Sequence, residues 1–185
     1  MDKNRRQVIE RAALIAAAIA AAPSISAQNR GNYRTLQWDD LMPDGWNPKA
    51  ALGNLDASRI PEGSAQELEL QRKMRKIWDS APVRAELDGQ RIRLPGYVVP
   101  LEYSTGAIRD FLLVPYFGAC IHSPPPPANQ IVHATSAKAL KGMRSMDAVW
   151  VSGILSLHRA DTPWGKAGYR LAVDKVEPYE EAKKK

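Results

Sequence analysis

Cys120 and His122 stand two residues apart in a stretch reading FGACIHSPPPPANQ, and Cys120 is the chain's one cysteine. In an extended segment, residues i and i+2 project from the same face. A thiolate and an imidazole so placed can grip a single transition-metal ion, and this donor pair suits zinc first and copper second. Two adjacent donors do not complete a site. His133, His158 and Glu102 are the candidates for a third, and His133 is the expected one, because a strand following the proline run would return beside Cys120. One cysteine and three histidines exclude an intramolecular disulfide, a multi-cysteine zinc site and a His-rich metal store.

The residues after the pair have a physical part in this reading. Pro124, Pro125, Pro126 and Pro127 favour polyproline II, which advances about 3 Å per residue, so the run makes a stiff strut of about 12 Å. Asn129 and Gln130 carry amide donors able to fix the loop or to orient a ligand histidine. Two other readings compete. The proline run, with Tyr116 and Phe117, could dock a partner groove while Cys120 is simply buried. Cys120 could also be a nucleophile with the Gly118-Ala119 amides as oxyanion donors. A base two residues away on one face is poorly placed for that, and no phosphate loop, dinucleotide fingerprint or His-Glu-x-x-His motif is present. An enzyme is therefore the weakest expectation.

The elements that must position these residues can be read from hydrophobic periodicity. Residues 63–80 predict a helix, with Leu68, Leu70, Met74, Ile77 and Trp78 at roughly helical spacing. Ser64 is its N-cap, Glu67 closes a capping box, and Pro82 follows its end. From Val83 onward the pattern changes to strands. Arg84–Glu86 leads into an Asp88-Gly89 turn, and a long strand, Arg91–Glu102, has a bulge or bend at Pro95-Gly96. Further strands are expected over Arg109–Phe117, Gln130–Thr135, Ala148–His158 around Gly153, and Tyr169–Tyr179. Five short strands with glycines at bends, preceded by one helix, predict a mainly β chain: a small OB-fold-like five-stranded barrel with a preceding α-helix. Ahead of the helix, residues 27–62 are a lead-in expected to pack on the core through Tyr33–Pro48, which holds Trp38 and Trp46 and is too aromatic for a linker; Ala50–Glu62 is expected to be mostly loop. The domain itself spans 63–179, and 180–185 is a charged tail.

Residues 1–26 read as an export signal: a basic start (Lys3, Arg5, Arg6, Arg11), an alanine-rich apolar run over 12–22, and small residues near Ser26. The run is shorter than the ~20 residues a membrane-spanning helix needs. Arg5-Arg6-Gln7-Val8-Ile9 resembles the twin-arginine export pattern, with Asn4 where Ser or Thr is usual and Glu10 where Lys is common; the general secretion route is the alternative. The segment holds four basic and two acidic residues, so its removal takes the net charge from +6 to about +4. No basic stripe interleaved with aromatics is left, so nucleic acid is not an expected partner. The expectation is a periplasmic protein that is not integral to the membrane once the signal is cleaved. A free thiol in that oxidising compartment must be buried, ligated or paired with another chain.

Three segments together carry a resemblance. These are Trp38-Asp39-Asp40-Leu41-Met42-Pro43, Leu94-Pro95-Gly96-Tyr97-Val98-Val99-Pro100-Leu101-Glu102, and Gly118-Ala119-Cys120-Ile121-His122 with Pro124–Pro127 and Asn129-Gln130. The chain resembles, over roughly Leu36–Tyr179, the bacterial family catalogued as domain of unknown function 3299. The resemblance implies an exported protein or lipoprotein of a Gram-negative bacterium, with no established activity. It also implies a setting beside transporters of the ATP-binding-cassette (ABC) type associated with zinc supply. This chain has no lipid-attachment cysteine near its signal, so a soluble form is expected. The function that follows is a zinc-binding accessory or carrier protein.

Overall fold

The barrel is built on β2 (Arg91–Pro100), whose side chains alternate so that Ile92, Leu94 and Val98 face inward. A computed structural model gives the fold, and the residues it describes are 32–47, 50, 60–102, 106–119 and 125–179. The expected export signal, most of the stretch 48–59, Cys120, His122, Pro124 and the charged tail lie outside the described residues. Apart from Asn32, the described residues fall within one unit, Tyr33–Lys185.

Five strands close on themselves. β2 pairs antiparallel with β3 (Ala107–Val114), and β3 pairs antiparallel with β4 (Val132–Lys141). β4 runs parallel to β6 (Gly165–Pro178), and β6 pairs antiparallel with β5 (Ala148–Thr162). The pairing of β5 with β2, from Arg91 opposite Ile154 to Tyr97 opposite Ala148, completes the ring. With β2 as the first barrel strand, the order around the ring is first, second, third, fifth, fourth. This is a closed five-stranded, OB-like barrel in a mainly β chain, as the strand spacing predicts. A two-residue β1 (Arg34–Thr35) adds to β2 in parallel.

Two apolar clusters hold the barrel. Its interior packs Ile92, Leu94, Val98, Phe111, Leu113, Val132, Ala134, Val151, Leu155, Tyr169 and Leu171, plugged by Leu36, Leu41 and Leu87 from outside the barrel strands. A second cluster lies on the outer side of β2 and β3: Val99, Leu112 and Val114 with Ala119, Ile131 and Ala167. β3 is thus buried on both faces over Phe111–Val114, which is why its sequence reads as a continuous apolar run rather than an alternation. Gly153 sits at a register shift in β5, where a Cβ would come within 2.1 Å of the Ala172 carbonyl oxygen. Only glycine lets the two backbones approach so closely.

The helix α1 (Ala65–Asp79) lies within the predicted range. The Ser64 side chain accepts from the Glu67 N–H, and the Glu67 carboxylate reaches back to the Gly63 N–H. None of its residues is fully buried; Leu70, Met74, Ile77 and Trp78 are half-buried. Its C-terminal end is tied to the barrel by Arg159, whose guanidinium donates to the Asp79 and Ala81 carbonyls. Four sequence expectations need correction. Arg84–Glu86 is not a strand; Ala85–Leu87 forms a 3-10 turn that drops Leu87 into the core. Pro95-Gly96 carries no bulge, because both residues keep regular register with Trp150 and Val149. β3 ends at Val114, because Pro115 has no N–H to continue the ladder. β4 and β5 run on to Lys141 and Thr162, held by backbone pairing through residues with no apolar alternation to mark them.

Candidate functional site

His133 lies on β4 between Val132 and Ala134, both of which face the barrel interior, so its own side chain points outward. Leu112 of β3 is opposite it on one side and Arg170 of β6 on the other. Two residues back along β3, Asp110 shares this outer face. Its Oδ1 is 3.4 Å from His133 Nε2. The other ring nitrogen, Nδ1, is buried and has no hydrogen-bond partner. The side chain as a whole is 19% exposed.

The surroundings of this imidazole favour its neutral form. Burial is the largest influence and lowers its pKa; Asp110 opposes this, while the charges of Arg170 and His158 lower it further. A neutral imidazole has one N–H and one lone pair. A carboxylate facing one ring nitrogen while the other is left without a partner is a common setting for a metal-ligating histidine. Asp110 is the functional candidate that sequence reasoning missed. The one available signal is an acid placed immediately before a buried apolar run, Phe111–Val114.

The chain enters and leaves the 120–124 stretch beside the second cluster. Ala119 is fully buried there, after a turn in which Gly118 takes a φ of 82° and its N–H faces the Met146 sulfur at 3.5 Å. On the far side, Pro125 and Pro126 are buried and Pro127 is half-buried. Pro125 packs on the β5–β6 hairpin: a Cβ at Gly165 would meet Pro125 Cβ and Ile131 Cδ1, each at 3.0 Å. These prolines are a packed support, not an exposed rail. Phe117 is 70% exposed, braced edge-on by Tyr97 with ring centroids 5.9 Å apart, and Tyr116 is also exposed.

Asn129 and Gln130 fix the loop, and among the described residues neither bonds a histidine. Asn129 Nδ2 donates to the Pro82 carbonyl at 2.9 Å, and Gln130 Nε2 donates to the Trp38 carbonyl at 2.8 Å. Trp38 in turn donates from Nε1 to the Pro95 carbonyl at 2.7 Å, so the loop, the lead-in and β2 are laced together. The group that faces His133 is Asp110. His158 is exposed on β5, near enough for its charge to act on His133. Glu102 is exposed just beyond β2. Among the described residues, no group of three or more His, Cys, Asp or Glu could by itself hold a metal ion. Nor is any described helix long and apolar enough to cross a membrane.

The comparison with curated proteins returns no match. A crystal structure of a DUF3299 family protein from Pseudomonas aeruginosa PAO1 is similar at 37% sequence identity, with a TM-score of 0.64. The similarity covers 82% of this chain and 99% of that one. The profile of the protein family of unknown function DUF3299 matches residues 38–178, the lead-in, the helix and the whole barrel. The chain therefore belongs to the DUF3299 family.

Proposed function

We propose that the protein is an exported, periplasmic metal-binding accessory or carrier, with zinc as its first ion and copper as its second. Cys120, His122 and His133 are the ligands. One observation carries the reading: His133 keeps a buried, unpartnered Nδ1 on a neutral ring whose other nitrogen faces a carboxylate. The Cys120-x-His122 pair lies in the stretch joining Ala119 to Pro125, and both of those flanking residues are buried. Three protein ligands leave a fourth tetrahedral position for water or for a ligand from a receiving partner, which suits an ion that must be passed on. A carrier of this kind would serve a transporter of the ABC type, the partner that the family resemblance implies.

Elemental analysis of the protein purified from the periplasm, without affinity metals or chelators, tests the reading. About one equivalent of zinc or copper is expected, and Cys120→Ser and His133→Ala should each lose most of it. No metal in the wild type would overturn the reading, as would full occupancy in a Cys120→Ser/His122→Ala double variant. A second reading is favoured by exposed Phe117 and its brace on Tyr97: a partner-docking surface. It predicts that Phe117→Ser abolishes capture of a transporter component and leaves metal content unchanged.

A further inference from the structure

We propose that Asp110 is the positioning residue of this centre: it holds the Nε2 proton of His133 and so makes Nδ1 the atom that ligates. The ligating half of this statement rests on the metal reading above; the half concerning the tautomer does not. Three independent features point to it. Asp110 Oδ1 is 3.4 Å from Nε2, and the side chain on the other flank of the ring, Arg170, carries no acceptor. Nδ1 is the buried nitrogen without a partner, so a proton placed there would be a buried donor with nowhere to go. The β3–β4 register also shifts between Ile108 and Asp110, which makes Asp110 the last residue in step with β4, opposite Thr135, before the ladder is displaced. Irregularities of this kind re-aim side chains beside functional sites. Here the shift leaves Asp110 on the outer face, diagonal to His133.

The arrangement has a consequence for metal choice. A ring whose proton is held by a carboxylate is more basic at its free nitrogen, which strengthens the bond to a borderline ion such as zinc. Arg170, on the opposite flank, favours negative charge on the remaining ligands, as a thiolate provides.

The test uses the full mature chain and has two arms. In metal-free protein at neutral pH, nitrogen-15 spectra of the His133 ring should show a single tautomer protonated at Nε2, with a proton slow to exchange with water. In Asp110→Ala that proton should exchange rapidly, and in Asp110→Asn, where an amide oxygen can still accept it, the loss should be smaller. A wild-type ring protonated at Nδ1 overturns the inference, and so does an Asp110→Ala spectrum identical to that of the wild type. In the second arm, zinc affinity is measured by competition with a chromophoric chelator. Asp110→Ala should weaken binding by about 10–100-fold, with Asp110→Asn between it and the wild type. Unchanged affinity in Asp110→Ala, where His133→Ala binds no zinc, also overturns the inference. Absence of zinc binding in the wild type, with the expected tautomer, would instead overturn the metal reading.

Discussion

His133 and Tyr169 show how much single side chains decide in this protein. His133 has a lowered pKa, chiefly from burial, so its neutral form is favoured in the folded state. Its contribution to stability is therefore complete above the ordinary value of 6.5 and is lost as pH falls below it, because the unfolded chain takes up the proton first. Thermal melts of metal-free protein between pH 7.5 and pH 5 should show this loss, and His133→Gln should flatten that part of the profile. A slope unchanged in His133→Gln would refute the assignment. Tyr169 is fully buried, accepts from the Arg84 N–H and donates to the Leu41 carbonyl, both at 2.7 Å. One phenol thus fastens the lead-in and the segment after α1 to the barrel wall. Tyr169→Phe leaves both backbone groups unpaired and should cost about 1–3 kcal/mol, measured by urea unfolding.

The strands and the helix differ in what keeps them in place. β5 and β6 form a long hairpin whose register depends on Gly153, where the carbonyl of Ala172 fills the space of a side chain. A methyl group there meets backbone, which cannot swing aside. Gly153→Ala should destabilise the barrel by about 1–3 kcal/mol or more, seen as a lower unfolding midpoint. α1 rests on its own caps and on two bonds from Arg159, with no fully buried residue. Ser64→Ala should accordingly raise hydrogen exchange in its first turns, at a cost of about 1 kcal/mol to the helix. The midpoint of barrel unfolding should stay within experimental error, and a matching fall in both would show that the helix is part of the same cooperative unit.

At the scale of the molecule, the connection between β3 and β4 gives this barrel its character. In OB-folds generally, the face formed by the second and third strands receives ligands. Here those strands are β3 and β4, and part of that face is covered by the chain's own residues: Ala119 and Ile131 pack with Leu112 and Val114. His133 and Asp110 stand on the same outer face. The position occupied by a ligand in other barrels is thus partly filled from within. Hydrogen exchange should find the strongest protection on β2 and β3, which carry the largest share of the buried core residues.

Much of this architecture was legible in the residues. Alternating apolar positions in β2, β5 and β6, the unbroken run in β3, and the Ser64–Glu67 box each report a local rule, so the barrel and its preceding helix could be read directly. The Cys120-x-His122 pair and His133 were picked out by chemistry alone. Tertiary structure decided the rest, because the relevant forces act between residues far apart in the chain. Asp110 becomes a partner for His133 only through the pairing of β3 with β4 and the register shift that ends it. Asn129 and Gln130 turn to Pro82 and Trp38 because those backbone carbonyls lie within reach once the barrel closes. The extra length of β4 and β5 is held by backbone hydrogen bonds through partly exposed residues, and exposure leaves no apolar period to read. Local patterning determined which elements form and which residue types could act; only long-range pairing determined which of them meet.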